Sequence, residues 1–253
     1  MKKTIAILMA AATVCAGTMG FAACSDDALV IGVTDYEPMD YRNENDEWVG
    51  FDAELAAKVF GNLGYKIKFQ EISWETKIVT LKAKEIDVIW NGMTVTDELK
   101  ENLTLSDVYL ENLQYGLVKT EYKADYTSAA SLTGKKVAVE AGSAAASLLN
   151  DVQCTLNKLD TQSAAVMEAA AGTSDIAIVD YTMARTLTSE GSDYYGVLTA
   201  VDLGFAPEEY AVGFRKEDTE LCAKVNEQLK ALKESGFIRE LAQKYGVANL
   251  LKD

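Results

Sequence analysis

The chain has 253 residues, of which 49% are hydrophobic and 25% are charged. This composition is typical of a globular protein, and the length is sufficient for one large or two modest cores. The formal net charge is -15, from 39 acidic and 24 basic residues, which argues against nucleic acid as a partner because phosphate binding requires clustered Lys and Arg. Histidine is absent, so the chain lacks the commonest general base and the commonest metal ligand.

Residues 1–23 are predicted to be an export signal, and residues 24–27 a short tether. A basic start precedes an Ala-rich apolar run and a polar junction, which is the pattern of a signal removed from the mature protein. The junction Phe21-Ala22-Ala23-Cys24 resembles the lipobox of bacterial lipoproteins, with Phe21 where Leu is usual. We therefore expect a lipid on Cys24 and an extracytoplasmic protein anchored to the cell membrane. The alternative is a plain secretory signal with an incidental Cys.

The first part of the mature chain predicts strands that alternate with helices. In chain order we expect strand 28–33, helix 52–63, strand 65–70, helix 73–84 and strand 86–90. The apolar run at 86–90 has no polar face, which is typical of a parallel strand covered by helices on both sides. Asp52 is the expected N-cap of the first helix. This βαβαβ order indicates a doubly wound sheet with right-handed crossovers.

Groups able to form hydrogen bonds follow the strand at 86–90. Asn91, Gly92 and Thr94 come directly after it, and Thr96 is expected to cap a short helix. Loops at the carboxyl ends of parallel strands are where open α/β sheets bind ligands, so this loop is a candidate binding site. The alternative is a simple strand–loop–helix joint, because the fold rule states where a site can lie and not that one exists.

The pattern restarts after a polar, turn-rich seam at 122–131. Strands are expected at 114–118, 136–139, 155–159, 176–179 and 210–214, and helices at 144–150, 163–171, 217–235 and 237–245. In both halves an Asp precedes an apolar strand and a polar loop, at Asp87 and at Asp175, which indicates two related lobes. The last two helices cannot form a lobe alone, so we expect them to cover the first one.

The expected boundaries follow from these elements. Lobe 1 comprises 28–112 and 207–253, lobe 2 comprises 119–202, and the hinge lies at about 110–118 and 201–211. Cys154 and Cys222 then fall in different lobes, and we expect both thiols to be buried and unpaired.

Motifs of one protein family recur along the mature chain in that family's order. They are GVTDYEP (32–38), VGFDAELA (49–56), IDVIWNGMTVTDELKE (86–101), LTGKKVAVEAGS (132–143), IAIVDYTMA (176–184), YAVGFRKED (210–218) and LKESGFIRELAQKYG (232–246). On these stretches the chain resembles the type II periplasmic solute-binding proteins, family 3, of polar amino acid ABC importers. The resemblance implies an α/β fold of two lobes, each a mostly parallel sheet with helices on both faces, joined by a two-strand hinge. It also implies that the lobes close on a small polar solute, in the first instance an amino acid, and deliver it to a membrane permease.

On the first-lobe side, the resemblance implies aromatic and polar contacts with the ligand. Tyr36 and Trp74 hold the places of two aromatics that flank the ligand's side chain, and Asp35 lies beside the first. The positions that meet the ligand's amino and carboxylate ends are Asn91, Gly92 and Thr94. The alternative for Tyr36 and Trp74, taken singly, is core packing.

On the second-lobe side, the resemblance implies a helix start and a carboxylate. Gly142, Ser143 and Ala144 match a helix start whose free amides and dipole suit an anionic group. Asp180 matches the carboxylate that pairs with an α-ammonium, and Glu140 adds negative charge at the pocket edge. N-capping is the alternative role for Ser143 and for Asp180, and it is compatible with ligand contact.

One position departs from the family pattern. The family's helix after the binding loop usually carries an Arg that holds the ligand's α-carboxylate through two parallel hydrogen bonds, and Leu99 stands there in this chain. Lys77 on the neighbouring helix is a possible carboxylate partner. Either Lys77 or the amides at 142–144 hold a carboxylate, or the ligand is a small organic cation or amine without an α-carboxylate.

Two other classes of function compete with solute binding. Some relatives of the family are dehydratases, but this sequence has no His, no nucleophile–base pair and no metal-ligand spacing. A ligand sensor is the other alternative, and sensors usually carry a fused output segment. We therefore expect a monomeric binding protein rather than an enzyme, with no cofactor and no metal.

Overall fold

The computed structural model describes residues 28–252, so the predicted export signal and Cys24 lie outside the described residues. Two five-stranded sheets are the centres of two lobes, and a two-stranded antiparallel ladder joins the segments that run between them. The predicted α/β fold with two sheet-based lobes is therefore confirmed. Within residues 28–252, no helix combines the length and the apolar character that crossing a bilayer requires.

The first lobe begins with the predicted βαβαβ unit. Its elements in chain order are β1 (Leu29–Val33), β2 (Tyr41–Arg42), β3 (Trp48–Val49), α1 (Phe51–Asn62), β4 (Ile67–Glu71), α2 (Lys77–Lys82), β5 (Val88–Ile89), α3 (Asp97–Asn102) and β6 (Thr104–Leu105). Strand β1 pairs in parallel with β4 on one side and β5 on the other. Residues 88–90 are fully buried, as the apolar run predicts. Thr96 caps α3 by accepting from the Leu99 amide, also as predicted.

The start of α1 differs from the sequence prediction, because Asp52 is not its cap. Gly50 is the N-cap residue, with φ +126°. A Cβ atom there would lie 2.1 Å from the Met39 carbonyl oxygen, so only Gly fits that turn. Asp52 lies inside the helix and is buried, which leaves its carboxylate free for contacts with the binding loop described below.

The second lobe lies between two crossings. Its first crossing strand is β7 (Leu110–Asn112), and its own elements are β8 (Gln114–Lys119), β9 (Lys136–Glu140), α4 (Ala144–Leu148), β10 (Thr155–Leu159), α5 (Gln162–Ala171), β11 (Ile176–Asp180), α6 (Tyr181–Thr188) and β12 (Leu198–Asp202). The strand order is β10-β9-β11-β8-β12, with β9 parallel to β10 and β11. Strand β8 runs antiparallel to β11 and β12. Strand β12 and helix α6 were not predicted from the sequence.

The chain then returns to the first lobe. The returning elements are β13 (Glu208–Tyr210), β14 (Gly213–Phe214), α7 (Thr219–Glu234) and α8 (Phe237–Lys244). Strand β13 pairs antiparallel with β7, and β14 pairs with β5 and β6. Both α7 and α8 pack against α1, as expected of helices that cover the first lobe. The single strand predicted over 210–214 is interrupted, because β13 belongs to the ladder and β14 to the sheet.

The two cysteines of the described chain are unpaired, as predicted. Cys222 is buried on α7, where its thiol donates to the Leu105 carbonyl oxygen at 3.3 Å. Cys154 is only half-buried, so the expectation that both thiols are buried was wrong for this residue.

Candidate ligand-binding cleft

A cavity of about 140 Å³ lies where the carboxyl ends of the strands of both sheets meet. From the first lobe it is lined by residues that include Tyr36, Trp74, Lys77, Asn91, Gly92, Thr94 and Leu99. From the second lobe and the crossing strands it is lined by residues that include Gln114, Glu140, Gly142, Ser143, Ala144, Gln162 and Asp180. This location agrees with the rule that open α/β sheets bind ligands at the carboxyl ends of their strands.

Direct contacts between the lobes close the cleft around this cavity. The Lys77 ammonium donates to the Gly142 carbonyl oxygen at 2.8 Å, and the Tyr36 hydroxyl lies 2.5 Å from Oγ1 of Thr182. Each contact joins a first-lobe residue to a second-lobe residue. A Cβ atom on Gly142 would lie 2.6 Å from the Glu75 Cα atom of the other lobe. The described conformation is therefore one in which the lobes touch.

The binding loop of the first lobe is held by its own side chains. Oδ1 of Asn91 accepts from the Thr34 amide and hydroxyl, and its Nδ2 donates to Asp40 at 2.8 Å. The Gly92 amide donates to Oδ2 of Asp52 at 2.6 Å. Asn91 and Gly92 both line the cavity, but the Asn91 side-chain amide and the Gly92 N–H are already paired within the lobe, so contact between this loop and a ligand through other backbone groups stays a prediction.

Two buried carboxyl groups support this loop from below. Asp40 and Asp52 are fully buried, and one oxygen of each has no hydrogen-bond partner among the described residues. Burial raises the pKa of Asp52 to about 7. Burial and then the charge of Asp52 raise the pKa of Asp40 well above its usual value. Two adjacent buried carboxyls cannot both ionise without a large cost, so the pair holds a proton into the neutral range.

Asp180 lies at the end of β11 and is held by three side-chain amides. Its Oδ1 accepts from Asn112 and from Gln114, the latter at 2.7 Å, and its Oδ2 accepts from Gln162. Burial and then the charge of Glu208 raise its pKa to about 6, while the hydrogen bonds oppose the shift. At neutral pH the group is therefore mainly a carboxylate. It occupies the N-cap position of α6, but its side chain makes no capping hydrogen bond there.

Two of these three amides connect Asp180 with a second carboxyl group. Oε2 of Glu208 accepts from Asn112 at 3.1 Å and from Gln114 at 2.9 Å. The Thr94 hydroxyl also donates to it, at 2.9 Å. Two acidic groups thus share amide donors at the crossing strands, and this proximity lets the charge of Glu208 raise the pKa of Asp180.

Glu140 stands beside Asp180 on the neighbouring parallel strand β9. It is buried, and its Oε1 atom has no hydrogen-bond partner among the described residues. Burial and then the charge of Asp180 raise its pKa to about 8. At neutral pH Glu140 is mainly a neutral acid, so the negative charge of this wall is concentrated on Asp180.

The start of α4 forms the rest of the second-lobe wall. Gly142 has φ +70°, and the Ser143 side chain accepts from the Ala146 amide, so the N-capping role of Ser143 is confirmed. The Ala144 amide lies in the first turn, where backbone N–H groups have no partner within the helix.

Trp74, Lys77 and Leu99 form the opposite end of the cavity. The Lys77 ammonium lies 4.6 Å from the Trp74 ring centroid and donates to the Trp74 carbonyl oxygen at 3.0 Å. Burial lowers its pKa to about 8, so the side chain remains mainly cationic at neutral pH. Leu99 is 3% exposed and brings only apolar surface.

Asp35 is the one predicted ligand contact that does not line the cavity. Its carboxylate instead accepts from the Ser163 hydroxyl of the second lobe at 3.2 Å, which makes it a further contact between the lobes. The other predicted contacts lie on the cavity wall, and which of them touch a ligand stays a prediction.

Sequence reasoning missed several polar groups of the site. Gln114 and Gln162 line the cavity, and Asn112 and Glu208 complete the Asp180 network. Gln162 follows strand β10, so the rule for carboxyl-end loops would have included it. Gln114 and Glu208 lie on crossing segments, and no local pattern marks them.

A family model for bacterial extracellular solute-binding proteins, family 3, matches residues 29–248. The chain belongs to this family. The arginine-binding extracellular protein ArtP of Bacillus subtilis is 29% identical over 97% of this chain and 98% of the relative. The structure is similar to that of a Streptococcus pneumoniae ABC uptake transporter substrate-binding protein with bound histidine, with a TM-score of 0.80, 29% identity, and coverage of 89% of this chain and 95% of the other.

A further similar structure bears on the question of catalysis in this solute-binding protein. It is the ancestral amino acid-binding protein AncCDT-1, described as a precursor of cyclohexadienyl dehydratase, with a TM-score of 0.80, 28% identity, and coverage of 86% of this chain and 95% of the other. Among residues 28–252, no cluster of three His, Cys, Asp or Glu side chains is suited to a metal ion. The relatives named here are binding proteins.

Proposed function

We propose that this protein captures an amino acid as a zwitterion, by closure of its two lobes, and delivers it to the permease of an ABC importer. The observation that carries the proposal is the Asp180 carboxylate, which lies on the cavity wall and is fixed by three amide donors. A buried carboxylate held in this way is oriented before the ligand arrives, which reduces the entropic cost of binding.

The neighbouring acceptors favour an ammonium at this place. Oε1 of Glu140 and Oε1 of Gln114 are buried and lack partners among the described residues, and both residues line the cavity with Asp180. An ammonium carries three N–H donors and no acceptor. A ligand ammonium here satisfies acceptors that are otherwise costly to bury.

The relatives' ligands identify the probes to use. ArtP is named for arginine, a second relative from Escherichia coli for lysine, arginine and ornithine, and the pneumococcal protein was solved with histidine. We propose amino acids as the ligand class for this chain, with binding and delivery rather than catalysis as its activity.

The remaining parts of the importer function concern the whole protein. We propose that it acts as a monomer outside the cytoplasm, anchored by a lipid on Cys24. The hinge is the ladder of β7 and β13, because these strands are the crossings between the two sheets. Rotation about a few crossing residues is the usual route of domain closure around a ligand.

A ligand screen tests this function. Melting temperatures are measured with each common amino acid and with amines that lack the carboxylate, and hits are quantified by calorimetry. Stabilisation by a true ligand grows with concentration as RT ln(1 + [L]/Kd). The proposal is contradicted if amines stabilise the protein and amino acids do not, a result that the apolar Leu99 and the acidic wall would then explain.

The Asp180→Asn variant tests the residue that carries the proposal. Loss of the buried anion should weaken amino acid binding by roughly 2–4 kcal/mol, which is about 30- to 1,000-fold. Asp175→Asn is the matched control, because Asp175 precedes the same strand at its opposite end and is exposed. Equal affinities in Asp180→Asn and the wild type would contradict the assigned role.

A further inference from the structure

Lys77 occupies an unusual position for a lysine. Its side chain is buried at the first-lobe end of the cavity, where it is 8% exposed. Two backbone carbonyl oxygens accept its hydrogens, that of Trp74 at 3.0 Å and that of Gly142 at 2.8 Å. The first carbonyl belongs to its own lobe and the second to the other lobe, so the ammonium lies at the junction of the two.

This ammonium has no ion-pair partner within the described residues. None of the ion pairs in residues 28–252 includes Lys77. An ammonium has three donors, and the two carbonyls use two of them. A buried cation without a counter-ion is costly, so a small anion entering the cavity would be favoured beside it.

None of the neighbouring carboxyl groups forms an ion pair with Lys77 among the described residues, although the charges of Glu140, Glu98 and Glu75 act on it from a greater distance and oppose the lowering of its pKa. Glu140 is the nearest candidate on the facing wall, but burial and the charge of Asp180 raise its pKa to about 8, which leaves it mainly protonated at neutral pH. Leu99 contributes no charge, and Trp74 offers its ring to the ammonium at 4.6 Å. The cavity at neutral pH therefore has a cation at Lys77 and an anion at Asp180, and the Glu98 side chain also lies on its wall.

We propose that Lys77 is the residue that binds the ligand's α-carboxylate in this chain, and that its bond to Gly142 couples carboxylate binding to lobe closure. The inference rests on the proposed capture of an amino acid and names the group that selects it. A carboxylate beside Lys77 fixes the ammonium at the position from which it reaches the second lobe. The third N–H donor of Lys77 then binds the carboxylate in place of the Arg that the family usually carries where Leu99 stands in this chain.

This arrangement predicts discrimination between an amino acid and the amine that lacks its carboxylate. Both ligands present an ammonium to Asp180, and only the amino acid presents an anion to Lys77. Removing the Lys77 charge should remove the discrimination, while both ligands also lose the contact between Lys77 and Gly142 across the lobes.

Calorimetry on matched ligand pairs with the wild type and Lys77→Met tests the inference. The pairs are L-arginine with agmatine, L-lysine with cadaverine, L-histidine with histamine, and L-glutamine with 4-aminobutanamide. Methionine keeps the unbranched apolar stem and deletes the ammonium. The control is Lys82→Met, which removes an exposed lysine from the same helix.

The expected result is a selective loss. Lys77→Met should weaken binding of the best amino acid by roughly 10- to 150-fold more than binding of the amine of that pair, which loses only the shared contact with Gly142, and Lys82→Met should change neither affinity. Retained amine binding also demonstrates that the variant is folded. Equal losses of affinity for both members of the pair, or no loss for the amino acid, would contradict the role of Lys77 but not the proposed function. A wild type that binds none of the amino acids overturns the proposed function and this inference together.

Discussion

The two lobes repeat one structural device at the start of a central strand and differ at the other end of that strand. In the first lobe, Asp87 precedes β5 and its carboxylate accepts from the Val30 amide at 3.0 Å, while its own amide donates to the Val30 carbonyl at 2.8 Å. In the second lobe, Asp175 precedes β11 and makes the same reciprocal pair with Lys136, at 2.7 and 2.8 Å. An Asp at this point fixes the register of neighbouring parallel strands in both sheets.

The lobes differ at the other end of the same strands. After β5, the polar groups of Asn91, Asp40 and Asp52 are paired with one another and with the loop backbone. After β11, Asp180 faces the cavity, and its partners come from other elements. The first lobe therefore supplies a wall whose loop groups are already paired, together with Lys77, and the second lobe supplies the anionic anchor. Closure is what brings the two kinds of wall together.

Among the variants that test this difference between the lobes, Gly142→Ala should have the largest effect, which is a loss of ligand affinity. The new Cβ would meet the Glu75 Cα atom at 2.6 Å, and because that atom belongs to the other lobe, the clash is felt only when the lobes touch. Overpacking costs about 1–3 kcal/mol, which corresponds to roughly 5- to 150-fold in Kd. Ligand affinity measured by calorimetry should fall by this amount.

Gly134→Ala is the matched control for that variant. Gly134 has φ +75°, close to the φ +70° of Gly142, and a Cβ there would meet nothing within 4 Å. Both variants should therefore show the same loss of melting temperature from left-handed backbone strain. If Gly134→Ala weakens ligand binding as much as Gly142→Ala does, strain within the second lobe and not contact between lobes explains the loss.

A smaller effect, on stability, is expected from Asp40→Asn in the first lobe. Folding raises the pKa of Asp40 and Asp52 above the unfolded values, so the folded state binds more protons than the unfolded state between about pH 4 and pH 7. The stability that this pair contributes is present at low pH and is lost as pH rises through the folded pKa values. Removing one of the two carboxyls should raise the free energy of unfolding at pH 8 by roughly 1–2 kcal/mol and by less at pH 5.

Urea unfolding at both pH values measures this difference. Glu44→Gln is the control, since it removes one exposed acidic group from the neighbouring hairpin turn and so corrects for the general effect of net charge. An Asp40→Asn variant that is less stable than the wild type at pH 8 would show that the carboxylate's bond to Asn91 outweighs the cost of burying its charge.

The sequence predicted features that local patterns encode. The apolar runs placed β1 and β5, helical spacing placed α1, and Thr96 was recognised as the cap of α3. Local patterns do not encode contacts between residues that are far apart in the chain, so these contacts could not be predicted. Asp52 at a helix start fits the pattern of a cap, but its partner is the Gly92 amide, 40 positions along the chain.

The Asp180 site shows the same limit on a larger scale. Gln114 and Gln162 reach this carboxylate from 66 and 18 positions away in the chain, and only the packing of β8 and α5 against β11 brings them together. Family motifs marked Asp180 itself, because the motif is local. Its donors are distributed over separate elements, so no spacing in the sequence indicates them.

The smallest expected effect is a difference between Asp87 and Asp175, the two residues that precede β5 and β11. Asp87→Ala and Asp175→Ala each remove one hydrogen bond to a strand amide, but Asp87 also pairs with Arg215, whose side chain is only 12% exposed, at 3.1 Å. Asp87→Ala leaves that guanidinium with fewer partners. The free energy of local opening at the Val30 amide should therefore fall by about 0.5–1 kcal/mol more than that at the Lys136 amide. Native-state hydrogen exchange measures the opening free energy of each amide separately, Val30 in the first lobe and Lys136 in the second. Equal losses would mean that Asp218, which also pairs with Arg215, compensates fully, and that the two devices are energetically equivalent.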